Sequence, residues 1–303
     1  MKSSQEKLYG GIEAGGTKFV CAVGTGLDNV RAIDSFATTT PESTLRKAVD
    51  FFLKTTANIP LVALGIASFG PLELNPESPK YGRIVNTPKP GWSDTDLIGY
   101  FRQKLAIPVF LDTDVNSAAV AENTWGAARG LASVIYLTVG TGIGGGGTFN
   151  DQPMHGISHP EMGHIRIPHD INEDPFQGSC PYHGDCLEGL ASGTAMQKRW
   201  GKSPEDIPNG HKAWELEAKY MALAVVNYIY TLAPQRIIMG GGIMKRDNLL
   251  SSIREKVVEL LHGYGSFPKS PKEIANYIVL PGLGERSGVL GAIALAHHSL
   301  EKF

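Results

Sequence analysis

The sequence predicts an α/β protein of two related halves, each a mixed sheet flanked by helices, on three observations. Its 303 residues exceed the size at which a single hydrophobic core stops growing. A hairpin with a glycine turn opens the chain near residue 15, and a second recurs near residue 143. After each hairpin, helical and strand patterns alternate, as in layered folds with helices on a sheet.

Residues 9–12, 19–23 and 33–36 read as strands, the first two joined by the turn Glu13-Ala14-Gly15-Gly16-Thr17. From 41 to about 57, Leu45, Ala48, Val49, Phe52 and Leu53 follow helical spacing, with Thr40 as N-cap and Pro41 at the first helical position. A strand returns at 61–67. Residues 75–92 are rich in Pro, Gly and Asn and are expected to be loop. A short strand at 108–111 then ends at Asp112, and 115–128 reads as a helix. The strand 134–139, a glycine turn at 140–147 and a return at Thr148 and Phe149 repeat the opening pattern. Further helices are expected over 213–232, 245–261 and 287–299, with a strand at 236–239 opening onto Gly240, Gly241 and Gly242. The last helix packs back onto the first half in this reading.

A hydrophobic content of 42%, a charged content of 19% and a net charge of −2 describe a globular chain without the basic field that nucleic acid requires. The first seven residues are polar and lack the apolar core of a signal peptide, and no run is long enough to span a membrane. A cytoplasmic protein with no membrane or nucleic-acid partner is the expectation. Of three cysteines, Cys21 sits in a strand pattern and reads as packing.

The other two carry chemistry. Cys180, His183 and Cys186 stand at three-residue steps, and His164 lies sixteen residues upstream, which makes a closed tetrahedral zinc set. Two thiolates and two neutral imidazoles neutralise Zn²⁺, so the ion is expected to be structural. A Cys180–Cys186 disulfide with two surface histidines is the alternative, disfavoured because nothing suggests export. His155, His159, His169, His211, His262, His297 and His298 show no comparable constellation and read as surface or packing residues.

Three phosphate-type motifs compete for the glycines. Residues 142–147 satisfy G-x-G-x-x-G, yet a strand and turn follow where a dinucleotide site needs a helix N-terminus. Gly16-Thr17-Lys18 inverts the P-loop order and also precedes a strand. What remains is a pair of hairpin turns whose backbone N–H groups form anion-binding concavities for a nucleotide's phosphates. Asp114, ending a strand just before a helix, is a candidate base for a substrate hydroxyl; helix N-cap is its bland alternative, and Asp112 is a rival.

The segments around Glu13, Asp112-Thr113-Asp114, residues 137–144, Glu161-Met162-Gly163-His164, the cysteine loop and Gly240 to Gly242 together resemble the ROK family, in its fructokinase-like bacterial branch. The resemblance runs in family order from about residue 9 to 300. It implies an actin-like (ribonuclease H-like) fold, ATP with catalytic Mg²⁺ and a sugar in an interlobe cleft, structural Zn²⁺, and γ-phosphoryl transfer to a sugar hydroxyl, with a homodimer expected. One lobe would comprise residues 1–117 and 288–303, the other 118–287 with the zinc loop. By the same resemblance Asp114 is the catalytic base. Glu161, His164, Glu188, Lys89 and Gly70 bind the sugar, His164 with one ring nitrogen on zinc. Gly15, Gly16, Thr17 and Lys18 meet phosphates, opposed by Gly140, Thr141, Gly142 and Gly144. Gly193, Gly240, Gly241, Gly242, Ile243 and Met244 hold the rest of the nucleotide.

The chain departs from the family pattern at three points. Glu13 stands where most members carry Asp, which alters any water-mediated magnesium contact. His183 replaces a thiolate. Lys89 follows Thr87-Pro88 where aldose-specific relatives carry Asn, which favours D-fructose, phosphorylated at O6, over glucose or N-acetylmannosamine. Sugar-responsive repressors of the family place a DNA-binding module before the sugar lobes; here the phosphate turn is expected to begin within about the first dozen residues, and a regulator is not expected.

Overall fold

The architecture, from a computed structural model that describes residues 7–56 and 59–300, resolves into two compact units. The first comprises residues up to 130, 152–160 and from 282 onward; the second comprises 131–151 and 161–281. The polar N-terminal reading and the expected helix end near Ala57 fall outside the described residues.

In the first unit, β1 (Leu8–Ala14), β2 (Lys18–Gly26) and β3 (Asn29–Ala37) form an antiparallel meander. β4 (Leu61–Ser68) and β5 (Val109–Thr113) extend it in parallel, giving the order β3-β2-β1-β4-β5. Such parallel additions require crossovers, and helices supply them. α1 (Pro41–Thr55) begins where expected, with the Thr40 hydroxyl accepting from the Ser43 N–H. α2 (Leu97–Leu105) was not anticipated; Asp96 caps it, accepting from the Gly99 N–H at 2.8 Å, and Leu97, Ile98 and Phe101 are buried. α1 and α2 cover one face of the sheet through Leu45, Phe52 and Phe101, together with Trp92 from the loop before α2.

The opposite face is closed by α9 (Ser287–Leu300), whose Val289, Ile293 and Ala296 pack on Tyr9, Val20, Ala22 and Ala63. Each fully buried aliphatic side chain there contributes about 1.5–3 kcal/mol relative to exposure. α3 (Asp114–Trp125) lies along α9, with Val120 and Ala121 against Leu290 and Ala294. It therefore belongs whole to the first unit, beyond the boundary expected at 117. Leu53, counted among the helix-core positions, is 56% exposed; it falls just outside the stripe that Leu45, Ala48, Val49 and Phe52 bury.

The second unit repeats the plan. β6 (Val134–Val139) and β7 (Ile143–Phe149) form an antiparallel hairpin, extended in parallel by β9 (Arg236–Gly240) and β10 (Ile278–Val279). The run β7-β6-β9-β10 has the same strand senses as β2-β1-β4-β5 in the first unit. A two-residue strand, β8 (Gln152–Pro153), follows β7 in sequence. The glycine turn is shorter than read from sequence. β7 starts at Ile143, so Gly144 to Gly147 are strand residues paired with Thr138 to Ile135. α6 (Ala213–Leu232) has its expected limits, whereas α7 spans Leu249–Leu261, preceded by a 3-10 turn at Ile243–Lys245. α4 (Leu187–Ala191), α5 (Gly193–Trp200) and α8 (Pro271–Tyr277) complete the unit and were not anticipated. No helix among the described residues is long and apolar enough to cross a membrane.

Candidate active site

At the head of α3, Asp112 and Asp114, which the sequence left ambiguous, take separate roles, and the residue between them takes the cap. Thr113 is the N-cap, its hydroxyl accepting from the Asn116 N–H at 3.1 Å. Asp112 is 1% exposed and committed: Oδ1 accepts from the Thr113 N–H at 2.7 Å and from the Asn116 amide at 3.0 Å. Its Oδ2 lies 3.0 Å from His155 Nε2. That hydrogen bond raises the His155 pKa, burial working against it and the Asp112 charge with it. Asp114 occupies the first helical position, half-buried, with Oδ1 accepting from the Val115 N–H at 2.9 Å.

Glu13 belongs to the same neighbourhood. Burial raises its pKa, the Asp114 charge adds to this, and Lys18 opposes it. Two carboxylates that raise the cost of each other's ionisation make a setting that a divalent cation relieves. The turn Gly15, Gly16 and Thr17, with Lys18 opening β2, joins the strand that carries Glu13 to its partner, and from Gly16 to Lys18 it is exposed.

Two histidines dismissed as packing residues also belong here: His155, just described, and buried His159, whose Nε2 accepts from the Leu72 N–H at 3.1 Å. Gly70 sits beside the His159 ring, and half-buried Lys89 begins a turn closed by the Trp92 N–H on its carbonyl. No periodicity announces such pairs, because each joins segments far apart in sequence.

In the second unit the four expected metal ligands converge. His164 and His183 Nδ1 and the Cys180 and Cys186 sulfurs all lie within 4.8 Å of one another. The nitrogen–sulfur separations are 3.5 Å (His164–Cys186), 3.8 Å (Cys180–His164) and 3.6 Å (Cys180–His183). A tetrahedron with Zn–S near 2.3 Å and Zn–N near 2.05 Å has nitrogen–sulfur edges of about 3.6 Å, close to these three separations, so the four residues form a candidate metal site. All three cysteines are free thiols, which excludes the disulfide alternative.

The loop packs onto β7 through glycines. A Cβ on Gly163 would stand 1.9 Å from the Ile143 carbonyl oxygen, and one on Gly145 would meet Leu137 and Met162 within 2.7 Å. The glycine run read from sequence as a turn is thus partly a flat surface on which the 3-10 turn Met162–His164 lies. His164 is half-buried, with Nδ1 turned toward the sulfurs; Glu161, immediately before the 3-10 turn, is exposed. Glu188, on α4, accepts from the Ile143 N–H at 2.9 Å.

Gly140, Thr141, Gly193, Gly242 and Ile243 line one cavity of about 580 Å³. Gly142, Gly144, Gly240, Gly241 and Met244 are not among its lining residues, and Gly240 and Met244 are buried. Sequence reasoning missed Trp214 and Arg246, which complete the wall. The Arg246 guanidinium stacks 4.2 Å from the Trp214 ring centroid and donates to the Asn209 amide oxygen and the Pro204 and Ile207 carbonyls.

Duplicated mixed sheets, paired glycine turns and an acid at a helix start define a two-unit α/β protein of the sugar kinase class. The ROK family model matches residues 9–299, and the chain belongs to the ROK family. It is 47% identical to a fructokinase of Zymomonas mobilis, over 97% of each chain. Its fold is similar to that of a ROK hexokinase from Thermus thermophilus, with TM-score 0.81 and 24% identity over 98% of this chain and all of the other. A ROK family glucokinase from Streptomyces griseus, solved with glucose and AMPPNP, is similar at TM-score 0.72 and 25% identity, covering 96% and 99% of the two chains.

Proposed function

We infer that the chain is an ATP-dependent fructokinase that converts D-fructose to D-fructose 6-phosphate. The observation that carries this reading is 47% identity to a fructokinase along 97% of both chains. Lys89 in place of an amide agrees with it.

Asp114 is the general base. Its neighbours leave it that role: Thr113 holds the cap, and Asp112 is buried among its own donors. The sugar O6–H proton passes to the Asp114 carboxylate as O6 attacks the γ-phosphorus, and the bond from that phosphorus to the bridging oxygen breaks to release ADP. Such a reaction draws chiefly on positioning and charge neutralisation. Glu13, whose pKa burial and the Asp114 charge raise, is the residue that would hold magnesium, which would supply positive charge against the phosphates when bound. Backbone N–H groups at Gly16 and Thr17 and at Thr141 and Gly142 receive phosphate oxygens, while those of Gly15 and Gly140 close the two turns on the Lys18 and Gly142 carbonyls at 3.0 and 2.9 Å; the cavity at Gly193, Gly242 and Ile243 takes the adenosine.

Glu161, His164 and Glu188 accept hydrogen bonds from sugar hydroxyls. Zinc on His164, Cys180, His183 and Cys186 is structural: with Nδ1 turned to the metal, Nε2 of His164 is left for the sugar. The test is a coupled ATP assay over fructose, glucose, mannose and N-acetylmannosamine, comparing kcat/KM. Fructose is expected to lead. A lead for glucose would overturn the choice of sugar while leaving the kinase assignment intact, and no turnover with any of the four would overturn both.

A further inference from the structure

We propose that the metal loop and the turn Gly140 to Gly142 act as one mechanical unit, with Glu188 as the positioning residue between them, so that loading the metal tightens nucleotide binding. The proposal rests on assigning that turn to the nucleotide.

Cys186, a metal ligand, is also the residue from which α4 starts. Two residues on, Glu188 reaches away from the sulfur, and its Oε2 accepts from the N–H of Ile143, the first residue after the turn, at 2.9 Å. The carboxylate lies so close that a Cβ on Gly142 would stand 2.6 Å from that oxygen. At its far end α4 passes through Ser192 into α5, whose first residues grip the same turn. The Gly193 N–H donates to the Gly140 carbonyl at 2.7 Å, and the Thr194 N–H and hydroxyl both donate to the Thr141 carbonyl, at 3.2 and 2.9 Å. The turn is therefore held from both ends of a five-residue helix.

α4 has little freedom to slide on the loop. The Ser179 N–H donates to the Gly189 carbonyl at 2.8 Å, and the Leu187 N–H to the Ile165 carbonyl at 3.0 Å. A Cβ on Gly189 would stand 1.9 Å from the Gly184 carbonyl oxygen, so backbone meets backbone there. A bound zinc would tie the four donors to one point through bonds of about 2.0–2.3 Å, fixing the residue where α4 begins. Fixing that start fixes Glu188 and the Ile143 N–H, and with them the backbone that receives phosphate. Only one carboxylate oxygen is used for this brace, so Glu188 Oε1 remains available to a sugar hydroxyl.

The test is made on the full chain without sugar. ADP affinity is measured by calorimetry on zinc-loaded and chelator-stripped protein, and zinc affinity by competition with a chromophoric chelator, with and without ADP. Stripping is expected to weaken ADP binding by about five- to tenfold, and ADP to strengthen zinc retention by the same factor, because such coupling is reciprocal. Glu188→Ala is expected to abolish the coupling in both directions. Glu188→Gln, whose amide oxygen still accepts from the Ile143 N–H, is expected to keep it. Equal ADP affinity in loaded and stripped protein overturns the proposal, as does full coupling in the alanine variant. Should the stripped chain unfold, the competition on loaded protein decides alone: zinc affinity indifferent to ADP overturns it. Failure of loaded protein to bind ADP at all would instead overturn the nucleotide assignment beneath it.

Discussion

Replacing Gly163 by alanine tests whether the proposed sugar and metal residues depend on the flat face of β7. The added Cβ would stand 1.9 Å from the Ile143 oxygen, where contacts under 3.0 Å are essentially never found, so at least 1.1 Å of movement is required. Ile143 cannot yield easily, because it is paired with Val139 at the end of the hairpin and its N–H is bound by Glu188. The 3-10 turn Met162–His164 must therefore move, and it carries His164 Nδ1 with it. A shift of that size is about five times the roughly 0.2 Å tolerance of metal–ligand distances. Misplacement on the order of 1 Å costs about 10²-fold in rate when reacting groups depend on position, and overpacking itself costs about 1–3 kcal/mol of stability. Glycine-to-alanine protein is expected to lose zinc on dialysis, to show kcat/KM for fructose lowered by about two orders of magnitude, and to unfold at lower urea. One zinc per chain with kcat/KM within about threefold of the parent would refute the reasoning.

Asp114→Asn should lower kcat by about 10²–10⁴ while fructose KM stays within about an order of magnitude, because the base acts on the barrier more than on ground-state binding; steady-state kinetics measure both. Cys186→Ser should release the metal and raise fructose KM through loss of His164 orientation, checked by zinc analysis beside kinetics. Glu122 accepts from the Ala127, Gly282 and Leu283 N–H groups and the Ser287 hydroxyl at 2.7–3.0 Å, all buried or half-buried, so Glu122→Gln sets an NH₂ against donors and should cost about 2–5 kcal/mol in urea unfolding. His155 has a pKa raised above 6.5 by its bond to Asp112, so its stabilising contribution is present in full below that value and lost as pH rises through the raised folded pKa. Urea midpoints of parent and His155→Gln should differ more at pH 6 than at pH 8.5; an equal difference at both would count against the pair.

Elements whose signals are local were legible in the sequence. Thr40 and Pro41 start α1, β-branched residues make β6, and the metal donors of the cysteine loop stand three residues apart, so each could be read without knowing any partner. What failed to show was whatever depended on a distant partner. The glycines from 144 to 147 were read as turn because glycine suits turns, yet Gly145 is small so that Leu137 and Met162 can pack close. His155 and His159 looked idle because Asp112 and the Leu72 N–H lie 43 and 87 residues away in the chain. Arg246 and Trp214 meet 32 residues apart, between a turn and a helix, where no period links them. Among Asp112, Thr113 and Asp114, three polar residues in a row each suit a cap or a base, and sequence spacing gives no means of ordering them. Burial does. The carboxylate with three partners is fixed, the hydroxyl caps the helix, and half-buried Asp114 is the acid to which the proposed role of base falls. Asp112→Asn discriminates further: it should disturb the helix start and lower stability, whereas Asp114→Asn should leave unfolding nearly unchanged while turnover falls.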